Sequence, residues 1–280
     1  LTLPILYSSQ EEIAHARKLY TQGLNALVTE FPPGSLEDLE PALQAASNRT
    51  NFQLAYQQGN DLALQKQYGE WVSGLLARKF DAIELPHKIP SKQRIRVGFI
   101  SSYWWRHTVG KLFRGWVEGL DRDDFEIVVY HLGTRQDEVT QNLALAADSY
   151  VNIQGLPAQV KRIREDKIDV LIYPEVGMDS DTMTLAALRL APVQCVAWGH
   201  PVTTGLPTMD YFLSSDLMEP EGAETHYSEK LVRLPGLMTA YPKPDVSKAV
   251  TPPFELPQSG EHVRYLCLQS LFKLLPQFDG

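Results

Sequence analysis

The chain has 280 residues, of which 44% are hydrophobic and 21% charged, and a formal net charge of −8. That length allows about two domains with a sizeable core and excludes a disordered chain. The acidic balance argues against nucleic acid as a partner, though a local cationic pocket for an anionic ligand stays open. No apolar run approaches the ~20 residues that a membrane span needs, and no charged leader precedes a short apolar segment. No membrane partner is therefore expected. Cys195 and Cys267 lie far apart without metal-ligand spacing, which suits a reducing compartment and a cytoplasmic location.

In chain order, Ile13, Ala16, Leu19, Tyr20, Leu24 and Leu27 recur at helical spacing behind Ser9. The pattern predicts a helix over 11–28 with Ser9 as its cap. Pro32-Pro33-Gly34 breaks it, and helical patterns return over 36–46 and 61–80. No complete repeat of about 34 residues is present. Residues 1–93 thus read as a helical N-terminal region, ending in a linker at 81–94 that holds Pro86 and Pro90.

Beyond Arg94 short apolar runs alternate with helical stretches, the pattern of βαβ units on a parallel sheet. Strands are predicted at 95–101, 125–131, 170–173, 194–198, 211–214 and 231–234, and helices at 109–120, 136–147, 157–166 and 181–190. The fold class is therefore α/β, with a Rossmann-like lobe over 94–241. A proline-rich crossover follows at 242–260. A strand at 263–268 opens a second lobe over 261–280, most of which this chain lacks.

Ligands of doubly wound sheets collect outside the carboxyl ends of the strands. The first strand delivers Ser101, Ser102 and then His107, whose ring titrates near neutral pH. Two readings stand: a binding wall, or two serines capping the helix near Thr108 with His107 as a polar loop residue. Trp198-Gly199-His200-Pro201-Val202-Thr203-Thr204-Gly205 leaves another strand, with two glycines that let backbone approach a ligand and a histidine held extended by the proline. Glu175 lies in a third such loop, Tyr173-Pro174-Glu175-Val176-Gly177-Met178-Asp179. Trp104 and Trp105 read as packing residues rather than as a stacking platform. At Gln269-Ser270-Leu271-Phe272-Lys273 a strand end leads to a lysine at a helix start, either a phosphate contact or a solvated surface lysine. No glycine-rich dinucleotide fingerprint or Walker loop occurs. Asp121-Arg122-Asp123 and Asp179-Ser180-Asp181 have the Asp-x-Asp form of metal-dependent sugar transferases, but the first suits a turn and the second a helix start.

Taken together and in order, these segments resemble the catalytic region of the O-GlcNAc transferase and SPINDLY-like glycosyltransferases, including bacterial relatives that modify asparagine. The resemblance runs over about 94–279 and also rests on Leu188-Arg189-Leu190-Ala191-Pro192-Val193-Gln194, Met209-Asp210-Tyr211 and His226-Tyr227-Ser228-Glu229-Lys230-Leu231. It implies a GT-B architecture, a nucleotide-sugar donor, a protein or peptide acceptor, and no metal or other cofactor. It also implies that His107 lies beside the reacting sugar as a base or positioning group, and that Lys273 stabilises the departing diphosphate. Trp198 and Gly199 would line the sugar pocket and Ser270 would lie near the diphosphate. Ser101, Ser102, Glu175, His200, Pro201, Thr203 and Gln269 complete the candidate substrate contacts. Animal members carry Asn-Gly-Tyr-Thr where this chain has Glu175-Val176-Gly177-Met178, and Gln-Leu-Tyr-Lys where it has Ser270-Leu271-Phe272-Lys273. The departures bear on the sugar and the acceptor residue. The expected function is inverting transfer from UDP-GlcNAc or UDP-glucose to Ser, Thr or Asn of a protein. The rivals are a non-catalytic binding module and a transferase acting on a glycan or small molecule. Lacking most of the second lobe, residues 1–280 alone are expected to be inactive.

Overall fold

The computed structural model describes residues 1–35, 37–81, 94–240 and 267–279, together with Lys243, Ser247 and Val250. Most of the predicted 81–94 linker, nearly all of the crossover and most of the strand expected at 263–268 lie outside the described residues. Three helices come first, α1 (Gln10–Glu30), α2 (Glu40–Asn48) and α3 (Leu62–Lys79), with a 3-10 turn at Phe52–Tyr56. Ser9 caps α1 as expected, its Oγ accepting the Glu12 N–H at 3.2 Å. The second helix starts at Glu40, later than its pattern suggested, with Pro41 in its first turn, where a missing N–H is harmless.

The remaining elements alternate: β1 (Ile95–Ser101), α4 (Thr108–Gly119), β2 (Phe125–His131), α5 (Glu138–Ala146), β3 (Ser149–Asn152), α6 (Leu156–Asp166), β4 (Val170–Tyr173), α7 (Ser180–Ala186), β5 (Val193–Ala197), β6 (Tyr211–Ser215) and β7 (Lys230–Leu234). All six neighbouring pairs are parallel, in the order β3-β2-β1-β4-β5-β6-β7. The chain therefore winds outward one way from β1 and the other way from β4. That reversal is the switch point at which open α/β sheets leave a crevice.

The five inner strands, β2, β1, β4, β5 and β6, are largely buried on both faces, which is why their runs read as nearly continuous apolar sequence, whereas the edge strands β3 and β7 are only partly covered. Ile100, Val128, Tyr130, Leu171, Tyr173 and Val196 face one core, shared with Tyr20, Leu24, Trp71 and Leu75 of the N-terminal helices. Val97, Phe99, Ile127, Val129 and Ala197 face the other, under Val109, Phe113 and Leu143 of α4 and α5.

The third helix rides directly on the loop after β5. A Cβ on Gly69 would lie 2.5 Å from the Gly205 carbonyl oxygen, and one on Gly205 would lie 2.1 Å from the Gln65 carbonyl carbon. Gly205 also has φ +70, a left-handed conformation that side chains disfavour. Gly205→Ala should therefore destabilise the fold by roughly 2–4 kcal/mol in urea unfolding, combining backbone strain with overpacking. Gly119→Ala, where nothing lies within 4 Å of the added Cβ, is the control and should change little.

Candidate active site at the carboxyl edge of the sheet

Three loops meet at the switch point. After β1, the Ser101 hydroxyl donates to Glu175 Oε1 at 3.3 Å and accepts the Tyr103 N–H at 3.0 Å. The Ser102 hydroxyl donates to Asp179 Oδ1 at 2.9 Å, and the Tyr103 hydroxyl donates to the Met178 carbonyl at 3.4 Å. The β1 loop is thus stitched to the β4 loop. After β5, the Gly199 N–H donates to the Pro174 carbonyl at 3.0 Å. A Cβ on Gly199 would lie 2.5 Å from that oxygen and 3.0 Å from Glu175 Cβ, so the contact needs glycine. Gly177, at φ +106, brings backbone against His200, with an added Cβ falling 3.2 Å from its Cδ2.

His107 is the N-cap of α4, its Nδ1 accepting the Val109 N–H at 3.2 Å. The capping role that Ser101 and Ser102 were open to is therefore filled by the histidine itself. Its ring stacks on Tyr103 with centroids 4.4 Å apart and leans against Trp105 at 5.2 Å. An Nδ1 that accepts a backbone N–H carries no proton, so in the neutral ring the proton sits on Nε2. Burial, and next the nearby Lys111 charge, lower the His107 pKa and favour that neutral form.

Glu175 is fully buried, and desolvation first, with the Asp179 charge second, holds its carboxyl well above the ordinary range. Its bonds to Met178 and Ser101 pull the other way but contribute less. Glu175 Oε2, Trp198 Nε1 and His200 Nδ1 are all buried without a hydrogen-bond partner among the described residues.

The structure thus brings together Ser101, Ser102, His107, Glu175, Trp198, Gly199 and His200. Pro201 is exposed at the rim. Thr203 is turned inward: its hydroxyl donates to Glu229 Oε2 at 2.6 Å and accepts the Ser228 N–H at 3.1 Å. Glu229 also accepts the Thr204 hydroxyl and, at 2.8 Å, the Thr204 N–H, which fixes the course of the β5 loop. Gln269, Ser270 and Lys273 sit on a separate segment. Lys273 opens no α-helix there, since Leu271–Lys273 is a single 3-10 turn and Leu275 precedes Pro276, which disfavours continuation. The segment reaches the site through Phe272, whose ring lies 5.9 Å from Phe52 and 4.8 Å from Tyr56, and Phe52 lies 5.1 Å from the His200 ring.

The Asp-x-Asp carboxylates are occupied locally. Asp121 Oδ1 accepts the Asp123 N–H, and Asp179 caps α7 through the Asp181 and Thr182 N–H groups. Among the described residues no group of three or more His, Cys, Asp or Glu is placed to hold a metal ion. Among them too, no helix is long and apolar enough to cross a membrane.

A doubly wound parallel sheet with hydroxyls, imidazoles and a buried carboxyl on the loops around its switch point is a Rossmann-like lobe. The model of glycosyl transferase family 41 matches residues 76–240, more than half of the chain, and the chain belongs to that family. Similar curated proteins include the SPINDLY protein of Solanum lycopersicum, 27% identical over 197 residues, covering 68% of this chain and 21% of the relative. The SEC protein of Arabidopsis thaliana is 25% identical over 233 residues, covering 77% of this chain and 24% of the relative. Both are described as a "Probable UDP-N-acetylglucosamine--peptide N-acetylglucosaminyltransferase". The chain thus spans under a quarter of these relatives' length. A solved mutant of the Thermobaculum terrenum O-GlcNAc transferase has the same fold, with TM-score 0.54 and 22% identity over 80% of this chain and 41% of its own.

His200 gives the site a measurable pH signature. Burial lowers its pKa to about 4, whereas an unfolded imidazole takes up its proton near pH 6.5. Its stabilising contribution is full above about 6.5 and drains as pH falls through that window, because the unfolded chain then binds the extra proton. Glu175 acts in the opposite sense, since a raised carboxyl pKa favours the fold at low pH. Comparing wild type with His200→Gln isolates the imidazole. Between pH 7.5 and 4.5 the wild type should lose roughly 2.5 kcal/mol more than the variant in urea unfolding. A pH-independent difference between them would show that His200 is not held neutral.

Proposed function

We propose that the protein is an inverting glycosyltransferase moving a sugar from a nucleotide donor, UDP-GlcNAc or UDP-glucose, to a Ser, Thr or Asn side chain of a protein acceptor. Membership of glycosyl transferase family 41 supports the reaction class, and the printed descriptions of the relatives support the donor and acceptor classes. The observation that carries the reading is the closure of the β1, β4 and β5 loops on Glu175 at the switch point, through the Ser101 hydroxyl and the close approach of Gly199, with His107 further along the β1 loop and His200 on the β5 loop.

In this reading the acceptor oxygen or nitrogen bonds to the anomeric carbon while the bond from that carbon to the diphosphate oxygen breaks, its electron pair leaving with the diphosphate. Lys273 meets the charge that grows there, with Gln269 and Ser270 beside it. Trp198, Gly199 and Glu175 line the sugar side, and Ser101 and Ser102 hold their loop. His107 acts as a positioning donor through Nε2–H, because using Nε2 as a base would require the other tautomer and the loss of the α4 cap. The acceptor proton accordingly passes to solvent or to the departing diphosphate. No metal or other cofactor is assigned, and the proposed setting is the cytoplasm.

The test is sugar transfer by the intact protein to a mixed peptide pool from a panel of nucleotide sugars, read by mass spectrometry. Modification of peptide side chains from a UDP-sugar supports the reading, whereas donor binding without transfer to peptide, or transfer only to glycans or small molecules, overturns it. Lys273→Ala should lower kcat by about 100-fold or more, the scale for removing a preorganised charge stabiliser. Near-normal turnover would remove Lys273 from the site. His107→Ala should lower turnover, and His107→Gln, which keeps a side-chain N–H donor, should recover part of it. Equal loss in both would favour a base.

A further inference from the structure

The chain is acidic overall, yet one rim of the site is basic. Arg106, Lys111 and Arg135 are exposed where β1 and β2 end. The Arg135 guanidinium lies 4.5 Å from the centre of the Trp105 ring, which leans on His107 at 5.2 Å. Lys111 sits one helical turn along α4, its N–H donating to the His107 carbonyl at 3.0 Å. None of the three cations forms an ion pair among the described residues. Carboxylates adjoin this rim at the start of α5. Asp137 is engaged by backbone, accepting the Arg106 N–H at 2.6 Å on Oδ2 and the Val139 and Thr140 N–H groups on Oδ1, and exposed Glu138 follows it. In a chain of net charge −8, three exposed cations without an ion pair among the described residues, on the segments that carry Trp105 and His107 and on the neighbouring β2 loop, make a local field of opposite sign.

We propose that this rim is the acceptor-docking surface and that it receives a peptide segment rich in Asp and Glu. The proposal rests on the glycosyltransferase reading, and sheet order supplies the direction. The Lys273 segment reaches the site on the β5 side, through Phe272, Phe52 and His200. His107 follows β1, and Arg135 follows β2 on the far side. Strands are about 4.8 Å apart, so the basic rim continues beyond His107 in the direction away from the proposed diphosphate contact. A donor on the β5 side leaves that rim to the acceptor. Exposed guanidinium groups suit carboxylates, which they bind bidentately, and such pairs weaken with salt.

Fluorescence anisotropy with the intact protein tests this through two labelled peptides of equal length that share a central Ser-Thr-Asn, one flanked by Asp and Glu and the other by Lys. The acidic peptide should bind about fivefold or more tightly at low salt, with the preference shrinking as salt rises. The exposed double variant Arg106→Glu/Arg135→Glu should abolish the preference, and Arg106→Gln/Arg135→Gln should reduce it, both with unchanged circular dichroism. Equal binding of the two peptides, or a preference that survives charge reversal, overturns the proposal. So does displacement of the acidic peptide by excess UDP, which would assign the rim to the donor. Because the assay reads binding, a protein that proved inactive would sink the proposed reaction and leave this result interpretable.

Discussion

A carboxyl group sealed from solvent lies between the loops that leave β1, β4 and β5, and the geometry of the whole edge depends on how it is held. Glu175 accepts the Ser101 hydroxyl on one oxygen, and Gly199 passes so close to the Pro174 carbonyl and to Glu175 Cβ that an added Cβ would clash. Burying such a group as an anion costs several kcal/mol unless it is paired. Among the described residues no cation pairs with it, and burial, with the Asp179 charge second, pushes its pKa well up toward the neutral form.

That arrangement has support from below. The inner strands of the sheet are covered on both faces, so they cannot shift without disturbing packed side chains. The N-terminal helices share one of those cores, and α3 abuts Gly205 in the loop after β5. Glu229 then fixes the Thr203-Thr204 turn from the amino end of β7. The histidines at the edge thus sit on loops braced from several elements, which is the preorganisation that stabilising a developing charge requires. Both rings are held toward the neutral state by burial, His200 much more strongly than His107.

Much of this was legible in the sequence because long apolar runs and helical spacing report burial directly. Six of the seven strands fall within a residue or so of their predicted positions, and the three strand-end loops do converge. The exception is β3, whose Ser149-Tyr150-Val151-Asn152 is polar at both ends because it lies at the sheet edge and is only partly covered. The last lobe helix stops at Ala186 rather than continuing to residue 190, because the Leu188 N–H turns to the Leu185 carbonyl and the Leu190 and Ala191 N–H groups go to Gln194 Oε1 instead of to carbonyls four residues back. Side-chain direction within loops was not legible. Thr203 and Ser102 are the same kind of residue on the same kind of loop, yet one turns inward to a carboxylate that follows it by 26 positions and the other bonds Asp179 at the rim. Asp179, Tyr103 and Phe52 join the site through contacts between distant segments, for which a single sequence carries no periodic signal. Asp179 had a local one, the Asp-x-Asp pattern, but that pattern marks a helix cap here.

The central claim is that the edge formed by these three loops receives the nucleotide sugar. Amide hydrogen exchange of the intact protein with and without UDP-GlcNAc or UDP-glucose tests it most directly, because protection maps where the donor sits irrespective of turnover. The account predicts slowed exchange in peptides covering residues 101–109, 174–179 and 198–205. Protection by neither donor, or protection confined to residues outside these three loops, would contradict it.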